Sequence, residues 1–545
     1  MASDLDRKVD ETLDGVIGPG GRLVIGRDEK GRAIVENFPA TLPGLFESFC
    51  SLHGESEALV AGDERLSFAD LDRWSDRLAR GLVARGIHKG DRVGIAMRNC
   101  PAWIVAYMAA LKAGGVATLL NGWWQAQEMQ HALELTRPAL IIADQERAGR
   151  IDGDLVALDV NQPLQTALAP LLQAGEADLP HVAPDDPATI LFTSGSTGEA
   201  KGALSTHRAV TTGVYSFATG LITLRTILEE EGRPPPPPRT LLNVPLFHVT
   251  GEVPVMLNSF VIGRGMVLMP RWDAGEALRL IERERITYFV GVPTMSLELL
   301  AHPDRDKYDL SSLTDIAAGG APRPVSHVER LQRAFGWAQP AIGYGLTETN
   351  AVGCMNFWSN YADKPGSTGR PQRPFVEVVI LGEDDVPLPN GERGEIAIRS
   401  AANFEGYWND PDSTRAGFTG DGFVRSGDIG YLDEDGYLFI VDRKKEIIIR
   451  GGENISAAEV EAACYACPQV AEAAVFGAPD ERLGEVTVAV IHAPEGLSEQ
   501  ALREFLEKRL AAFKIPAITI FVDRPLPRLG TGKIDRVALK ALYAR

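Results

Sequence analysis

Between Ile190 and Gly202 the chain reads Ile-Leu-Phe-Thr-Ser-Gly-Ser-Thr-Gly-Glu-Ala-Lys-Gly. An apolar, strand-like run ends at Phe192. Hydroxyls follow at Thr193, Ser194, Ser196 and Thr197, with glycines at Gly195 and Gly198, then Lys201 and Gly202. Glycines let a backbone turn tightly around an anion with its amide groups pointing inward. The hydroxyls add donors and Lys201 adds positive charge, so the loop suits a polyphosphate. The Walker loop of nucleotide hydrolases ends Gly-Lys-Ser/Thr. Here Lys201 stands three residues beyond Gly198 and is followed by Gly202, so that pattern does not fit.

Four more polar or small-residue segments follow apolar runs: Leu241–His248, Ile286–Thr294, Asp315–Pro322 and Ala341–Glu348. In open parallel sheets, ligands bind beyond the carboxyl ends of strands. The loops therefore point to one shared site. The elements that must position them are legible upstream. Ser67 and Asp70 read as a helix start, with Leu71, Trp74, Leu78 and Leu82 on one face. Arg92–Met97 reads as a buried strand, Pro101 as the opening of a helix, and Val116–Leu120 as the next strand. Alternating strands and helices of this length predict an α/β fold of parallel sheets covered by helices. From about Phe375 the pattern turns to short strands and turns, a β-rich subdomain closed by Tyr437–Asp442. After Arg443 the rhythm changes to a small α+β unit.

The expected organisation is an irregular extension over 1–40, a large unit over 41–442 with its β-rich part at about 370–442, a hinge at 443–445, and a small lid domain over 446–545. Residues 145–185 read as a weakly patterned connection, and Pro234–Pro238 as an exposed, extended insertion. The 545 residues carry a net charge of −19 and 45% hydrophobic residues. That charge argues against a nucleic-acid partner. Five sparse cysteines suggest reduced thiols and a cytoplasmic protein. No targeting segment or membrane span is apparent; Ile104–Leu120 contains Lys112 and paired glycines and reads as buried helix, turn and strand.

Taken together and in order, these motifs resemble the adenylate-forming superfamily: acyl-CoA synthetases, aryl-CoA ligases, peptide-synthetase adenylation domains and beetle luciferases. The resemblance runs from about residue 45 to 540. It implies an ATP-dependent acid–thiol ligase. A carboxylate attacks the α-phosphate of ATP to give acyl-AMP and pyrophosphate, and a thiol then displaces AMP. By that resemblance Thr193–Lys201 is the phosphate loop, with Ala200 where the family usually carries Pro. Gly319, Gly320 and Ala321 lie beside the adenine. In Gly343-Tyr-Gly-Leu-Thr-Glu348, Tyr344 stacks on adenine, Thr347 bonds the α-phosphate, and Glu348 holds Mg²⁺ with Thr193 as the second protein contact; Gly343 and Gly345 belong to the same nucleotide-binding segment. Asp428 binds the ribose hydroxyls, and Arg443 is a second ribose or phosphate contact. His248 orients the acid, and Lys533 is the mobile catalytic lysine. Lys445 is the hinge, and Gly451 and Gly452 approach the pantetheine of coenzyme A.

The resemblance makes ATP, Mg²⁺ and CoA the cofactors. No Phe-Asp pair occurs between His248 and Gly320, where the family's amino-acid members bind an ammonium. The expected acid therefore has an apolar acyl group, foremost a fatty acid. Its walls are expected from Val249–Met256, Val292–Met295 and Ala317–Gly319. Alternatives are an aryl or phenylpropanoid CoA ligase, a stand-alone enzyme loading a carrier protein, a luciferase-like oxygenase, and a non-catalytic nucleotide binder. A homodimer is the remaining partner to consider. Trp123 and Trp124, standing where the family has Asn-Pro, are left open between core, pocket wall and subunit contact.

Overall fold

A computed structural model describes residues 3–544 except 176, 194–199, 322, 445, 451–452 and 530–531. The expected irregular N-terminal extension is corrected at once. Ser3 and Asp6 form a capping box on helix α1 (Asp4–Ile17), and a two-stranded hairpin follows at 25–27 and 33–35. The docked face of α1 is acidic: buried Asp6 accepts bonds from Asn360, Arg370 and Tyr437, and Asp10 pairs with Arg370 and Arg373. Beside these carboxylates Leu13 and Val16 are buried at helical spacing, an apolar signal that the reading of 1–40 as an extension passed over.

The first large sheet has seven strands among the described residues. At its centre β1 (Arg92–Ala96) is followed by α2 (Pro101–Lys112), β2 (Val116–Leu119) and β3 (Pro187–Thr193), with β1, β2 and β3 parallel neighbours. All of α2 is buried, as expected of a helix that is apolar on every side. Its terminal Lys112 is paired with Asp72 and Asp76, each at 2.6 Å. The connection after residue 145 is more regular than its pattern suggests: strand 156–158 joins the sheet edge. Strand β4 (Lys201–Thr206) returns antiparallel to β3, and α3 (His207–Glu230) leads to Pro234–Pro238, which has no regular structure.

The second large sheet has nine strands among the described residues. Four of them, β5 (Arg239–Leu242), β6 (Tyr288–Gly291), β7 (Asp315–Ala318) and β8 (Gln339–Gly345), lie side by side and parallel. Their carboxyl ends share one edge, as the sequence pattern predicts. Helix α4 (Pro293–Ala301) follows β6, and α5 (Val325–Ala334) follows β7. An antiparallel four-stranded sheet then includes β9 (Val424–Leu432) and β10 (Leu438–Arg443). The C-terminal part builds its own sheet from residues 448–522, covered by α6 (Ala457–Tyr465). Cys464 and Cys467 sit in its separate apolar core.

Candidate active site

Asp428 and Arg443 are cross-strand partners on β9 and β10. Arg443 Nε lies 3.2 Å from Asp428 Oδ1, and the Tyr344 hydroxyl donates to Oδ2 at 2.7 Å. Tyr344 stands near the carboxyl end of β8, so the pair joins two sheets. Burial pushes the Asp428 carboxyl up from its ordinary range, while Arg443 and then Tyr344 pull it back. A Cβ on Gly343 would meet nothing within 4 Å, so the face beside Tyr344 is open. Gly345 is needed for a different reason: its Cβ would fall 2.0 Å from the Ala351 carbonyl oxygen.

Thr193 and Lys201 face each other across β3 and β4. Ser194, Gly195, Ser196, Thr197 and Gly198 lie outside the described residues, so the strand pair fixes only their flanks. Lys201 Nζ is 3.4 Å from Asp410 Oδ2, bonds Ser413, and lies 5.3 Å from the Tyr407 ring centroid. The Tyr407 hydroxyl in turn donates to Glu348 Oε1 at 2.7 Å. Glu348 stands in a 3₁₀ turn, Thr347–Thr349, which adjoins β3. Tyr407 thus bridges the phosphate-loop lysine and the carboxylate after β8.

Lys533 reaches this edge from the C-terminal part. A Cβ placed on Gly320, whose φ is +75°, would lie 3.3 Å from Lys533 Cε and 3.5 Å from Nζ. Burial first, then the Arg443 charge, lower the ammonium to about 8 against the pull of Asp428. His248 lies in the same field: burial and then the Lys533 charge drive its pKa down to about 3. Its Nδ1 accepts from the Thr250 N–H at 3.3 Å, which places the ring proton on Nε2. The His248 carbonyl begins the π-helix Gly251–Leu257 by accepting from Gly251 and Glu252. The structure therefore brings together Thr193, Lys201, His248, Gly320, Ala321, Gly343, Tyr344, Gly345, Thr347, Glu348, Asp428, Arg443 and Lys533. Lys445, Gly451 and Gly452 lie outside the described residues.

Residues 46–408 match the family model described as AMP-binding enzyme, and residues 459–533 match the AMP-binding enzyme C-terminal domain. The chain belongs to the AMP-binding enzyme family. Among its relatives, a feruloyl-CoA synthase of Amycolatopsis sp is 37% identical over 88% of this chain and 94% of its own length. The long-chain-fatty-acid–CoA ligase FadD13 of Mycobacterium tuberculosis is 34% identical over 88% and 94%. A solved o-succinylbenzoate CoA synthetase (MenE) from Bacillus subtilis, in complex with ATP and magnesium ion, is 29% identical over 91% of this chain and 99% of its own, with a TM-score of 0.76. This AMP-binding enzyme is an AMP-forming acyl-CoA synthetase: it activates a carboxylic acid as acyl-AMP and transfers the acyl group to CoA, with ATP, Mg²⁺ and CoA as cofactors. The donor set suits the ion. Magnesium wants oxygen ligands from one or two carboxylates besides the substrate phosphates. Glu348 keeps Oε2 clear of the Tyr407 bond, and Thr193 offers a hydroxyl on the adjoining strand.

Several groups escaped sequence reasoning. Tyr407 carries no motif by itself; only its pairing, Ala203 opposite Tyr407, brings it to Glu348. Glu252, in the first turn of the π-helix, is fully buried, accepts from the Tyr107 hydroxyl at 2.7 Å, and has its pKa raised by burial to about 8. Arg528 stands in the same short segment as Lys533, yet nothing in the spacing shows that it reaches Thr294, 2.8 Å away. The two tryptophans separate. Trp124 packs edge-on against Phe192 at 5.2 Å. Trp123, under the Arg147 guanidinium, walls a crevice of about 310 Å³ shared with Asn243, Phe247, Met295 and Arg528.

Proposed function

We propose that the acid carries an apolar acyl group, foremost a fatty acid, and that the groups around Lys533 perform its adenylation. The observation that carries the reading is the convergence of Lys533, beside Gly320, with His248, which lies within reach of its charge and next to buried apolar residues. Val249, Val253 and Met256 are buried in the segment after His248, and Val292, Met295 and Ala317 line the neighbouring strand ends.

In the first half-reaction the acid's oxygen forms a bond to the α-phosphorus while the bond to the pyrophosphate oxygen breaks. Two anions must approach, so the main task is to screen charge in fixed geometry. Lys533 is assigned to bridge the carboxylate and α-phosphate oxygens with its ammonium, with Thr347 donating to the same phosphate. His248 stays neutral at any working pH and offers Nε2–H to the acid, orienting it without adding a charge that would compete with Lys533. Thr193–Gly198 and Lys201 hold the outer phosphates. Glu348 and Thr193 would hold Mg²⁺, which would screen the phosphate charge. Tyr344 stacks on the base beside Gly320, Ala321, Gly343 and Gly345, and Asp428 with Arg443 takes the ribose. In the second half-reaction the thiol sulfur bonds the acyl carbon and AMP leaves. Gly451 and Gly452 are assigned to the pantetheine side, reached by lid motion about Arg443–Lys445.

The test is pyrophosphate release across fatty, aryl and amino acids, with and without CoA, followed by mass spectrometry of the product. Acyl-CoA from a fatty acid is expected. Turnover confined to amino acids would overturn the apolar pocket, and pyrophosphate release that halts at one turnover with CoA present would move the acceptor to a carrier protein. A second reading, an aryl propenoic acid, is favoured by the 37% identity to the feruloyl-CoA synthase, and the same panel decides it. All five cysteines are free and buried, which supports a reducing, cytoplasmic setting. Among the described residues no helix is long and apolar enough to cross a membrane. Association as a homodimer is a further proposal, read by light scattering.

A further inference from the structure

Lys533 sits in a turn that is braced internally. The Leu529 N–H donates to the Lys533 carbonyl at 2.8 Å, the Gly532 N–H to Leu529 at 2.8 Å, and Arg528 bridges to Ile534 as an isolated β-pair. One guanidinium connects this turn to both sides of the seam. Arg528 Nη1 donates to the Gly532 carbonyl at 2.9 Å and to Thr294 Oγ1 at 2.8 Å. Its Nη2 pairs with Glu472 in the C-terminal sheet and lies 3.5 Å from Glu298 Oε1. Thr294 and Glu298 are one turn apart on α4, directly after β6. Glu298 is itself held by the Trp272 indole N–H through its other oxygen.

The same place shows a close apolar approach. Gly532 has φ +80°, and a Cβ there would stand 3.2 Å from both Met295 Cε and Val292 Cγ2. The lysine turn is pressed on the start of α4, and Arg528 is the charged group that spans the seam.

We propose that Arg528 is a positioning residue for adenylation: its hydrogen bond to Thr294 and ion pair with Glu298 seat the lysine turn on α4 and so place the Lys533 ammonium beside Gly320. The physical case is one of degrees of freedom. A lysine has four rotatable bonds, and its turn belongs to a different sheet from the groups it must meet. Small displacements of the turn are large displacements at Nζ. A planar guanidinium bonded on three sides removes them, and a lysine at 528 has no fork with which to do so. Every contact named reaches across the seam or braces the turn. The inference rests on the proposed role of Lys533 in adenylation.

The decisive variant leaves the turn untouched. Thr294→Val with Glu298→Ala removes the α4 side of the seam while Arg528 keeps Glu472 and Gly532. Two readouts are taken on the full chain. Labelling by acetic anhydride at neutral pH, with peptide mass spectrometry, reports Lys533 exposure without any substrate. Pyrophosphate release with the acid found in the panel reports the first half-reaction, and thiolysis of the supplied acyl-adenylate reports the second. Loss of hydrogen bonds to a charged group predicts about tenfold faster labelling of Lys533 and a similar fall in pyrophosphate release, with thiolysis unchanged. Arg528→Ala should match the double variant, and Arg528→Lys should not restore it. Wild-type labelling in the double variant would overturn the proposal and leave Arg528 a brace within the C-terminal part. Lys533→Ala separates the two readings: if it too leaves pyrophosphate release intact, the assigned role of Lys533 fails; if only Lys533→Ala is impaired, the seam alone fails.

Discussion

Asp428 meets its partners through sheet register: Arg443 is opposite it on the neighbouring strand, and Tyr344 arrives from the end of β8. Lys533 meets its surroundings through a turn whose connections to the rest of the molecule pass largely through Arg528 and the contact of Gly532 with α4. The nucleotide half of the site is thus built into packed sheets, where burial and cross-strand hydrogen bonds fix the groups before any ligand arrives. The lysine half is brought to it across a seam between separate cores. Under the proposed assignment a pre-tied carboxylate costs little to use repeatedly, because it would hold the same ligand through both half-reactions. A cation needed in one half-reaction alone is better placed on something that can leave. The two constructions follow the two tasks, and each predicts its own pattern of failure.

The largest expected effect comes from removing the cation itself. Lys533→Ala should lower the acid-dependent pyrophosphate rate by about 10²–10³, the scale on which single charge-stabilising donors act, while thiolysis of supplied acyl-adenylate stays near wild type. Half-reaction assays check both. Equal loss in the two would mean that Lys533 is not confined to one half of the cycle, and the contrast between a fixed half and a departing half would break.

A smaller effect is expected from pH. The Lys533 pKa is lowered from 10.5 to about 8, by burial and then by Arg443. The active form is the ammonium, so activity is present below that value and is lost as pH rises through it. The profile of kcat/KM, which reports the free enzyme, should fall on the alkaline side near pH 8. His248, at about 3, contributes no limb in the working range. Lys533→Arg, at reduced rate, should remove the alkaline limb, since guanidinium does not deprotonate there. An unchanged limb in that variant would assign it to another group.

The strands and loops at the ligand edge were legible because apolar runs ending in Gly, Thr and Glu are short-range signals: β3 into Thr193, and β8 into Thr347 and Glu348. The buried helix α2 was legible for the same reason, being apolar on every side. What stayed hidden depends on contacts far apart in the chain. Tyr407 and Glu348 are 59 residues apart and Arg528 and Thr294 are 234 apart; neither pair leaves a period or a spacing. Helix α1 docks partly through carboxylates, Asp6 and Asp10 meeting Arg370, which leave no apolar period, although its buried Leu13 and Val16 do.

The mildest change sharpens the contrast most, because it tests whether the fixed half is truly pre-tied. An ionised carboxylate has about four lone-pair sites. In Asp428, Arg443 takes one on Oδ1 and the Tyr344 hydroxyl takes one on Oδ2, which leaves one on each oxygen for a pair of vicinal ribose hydroxyls. Burial already raises the Asp428 pKa, and the phenol is among the groups that oppose it. Tyr344→Phe keeps the ring for stacking but deletes that donor, so Oδ2 is left less satisfied and the carboxyl is easier to protonate. The expected result is a rise in the KM for ATP of about fivefold, the worth of roughly 1 kcal/mol for one hydrogen bond, with kcat little changed. The rise should grow as pH falls, because a protonated Asp428 accepts from one hydroxyl fewer. A fall in kcat with KM intact would instead place the phenol in the chemistry of the α-phosphate. In that case the nucleotide half would be reorganised between half-reactions as the lysine half is, and sheet register would no longer be what distinguishes them.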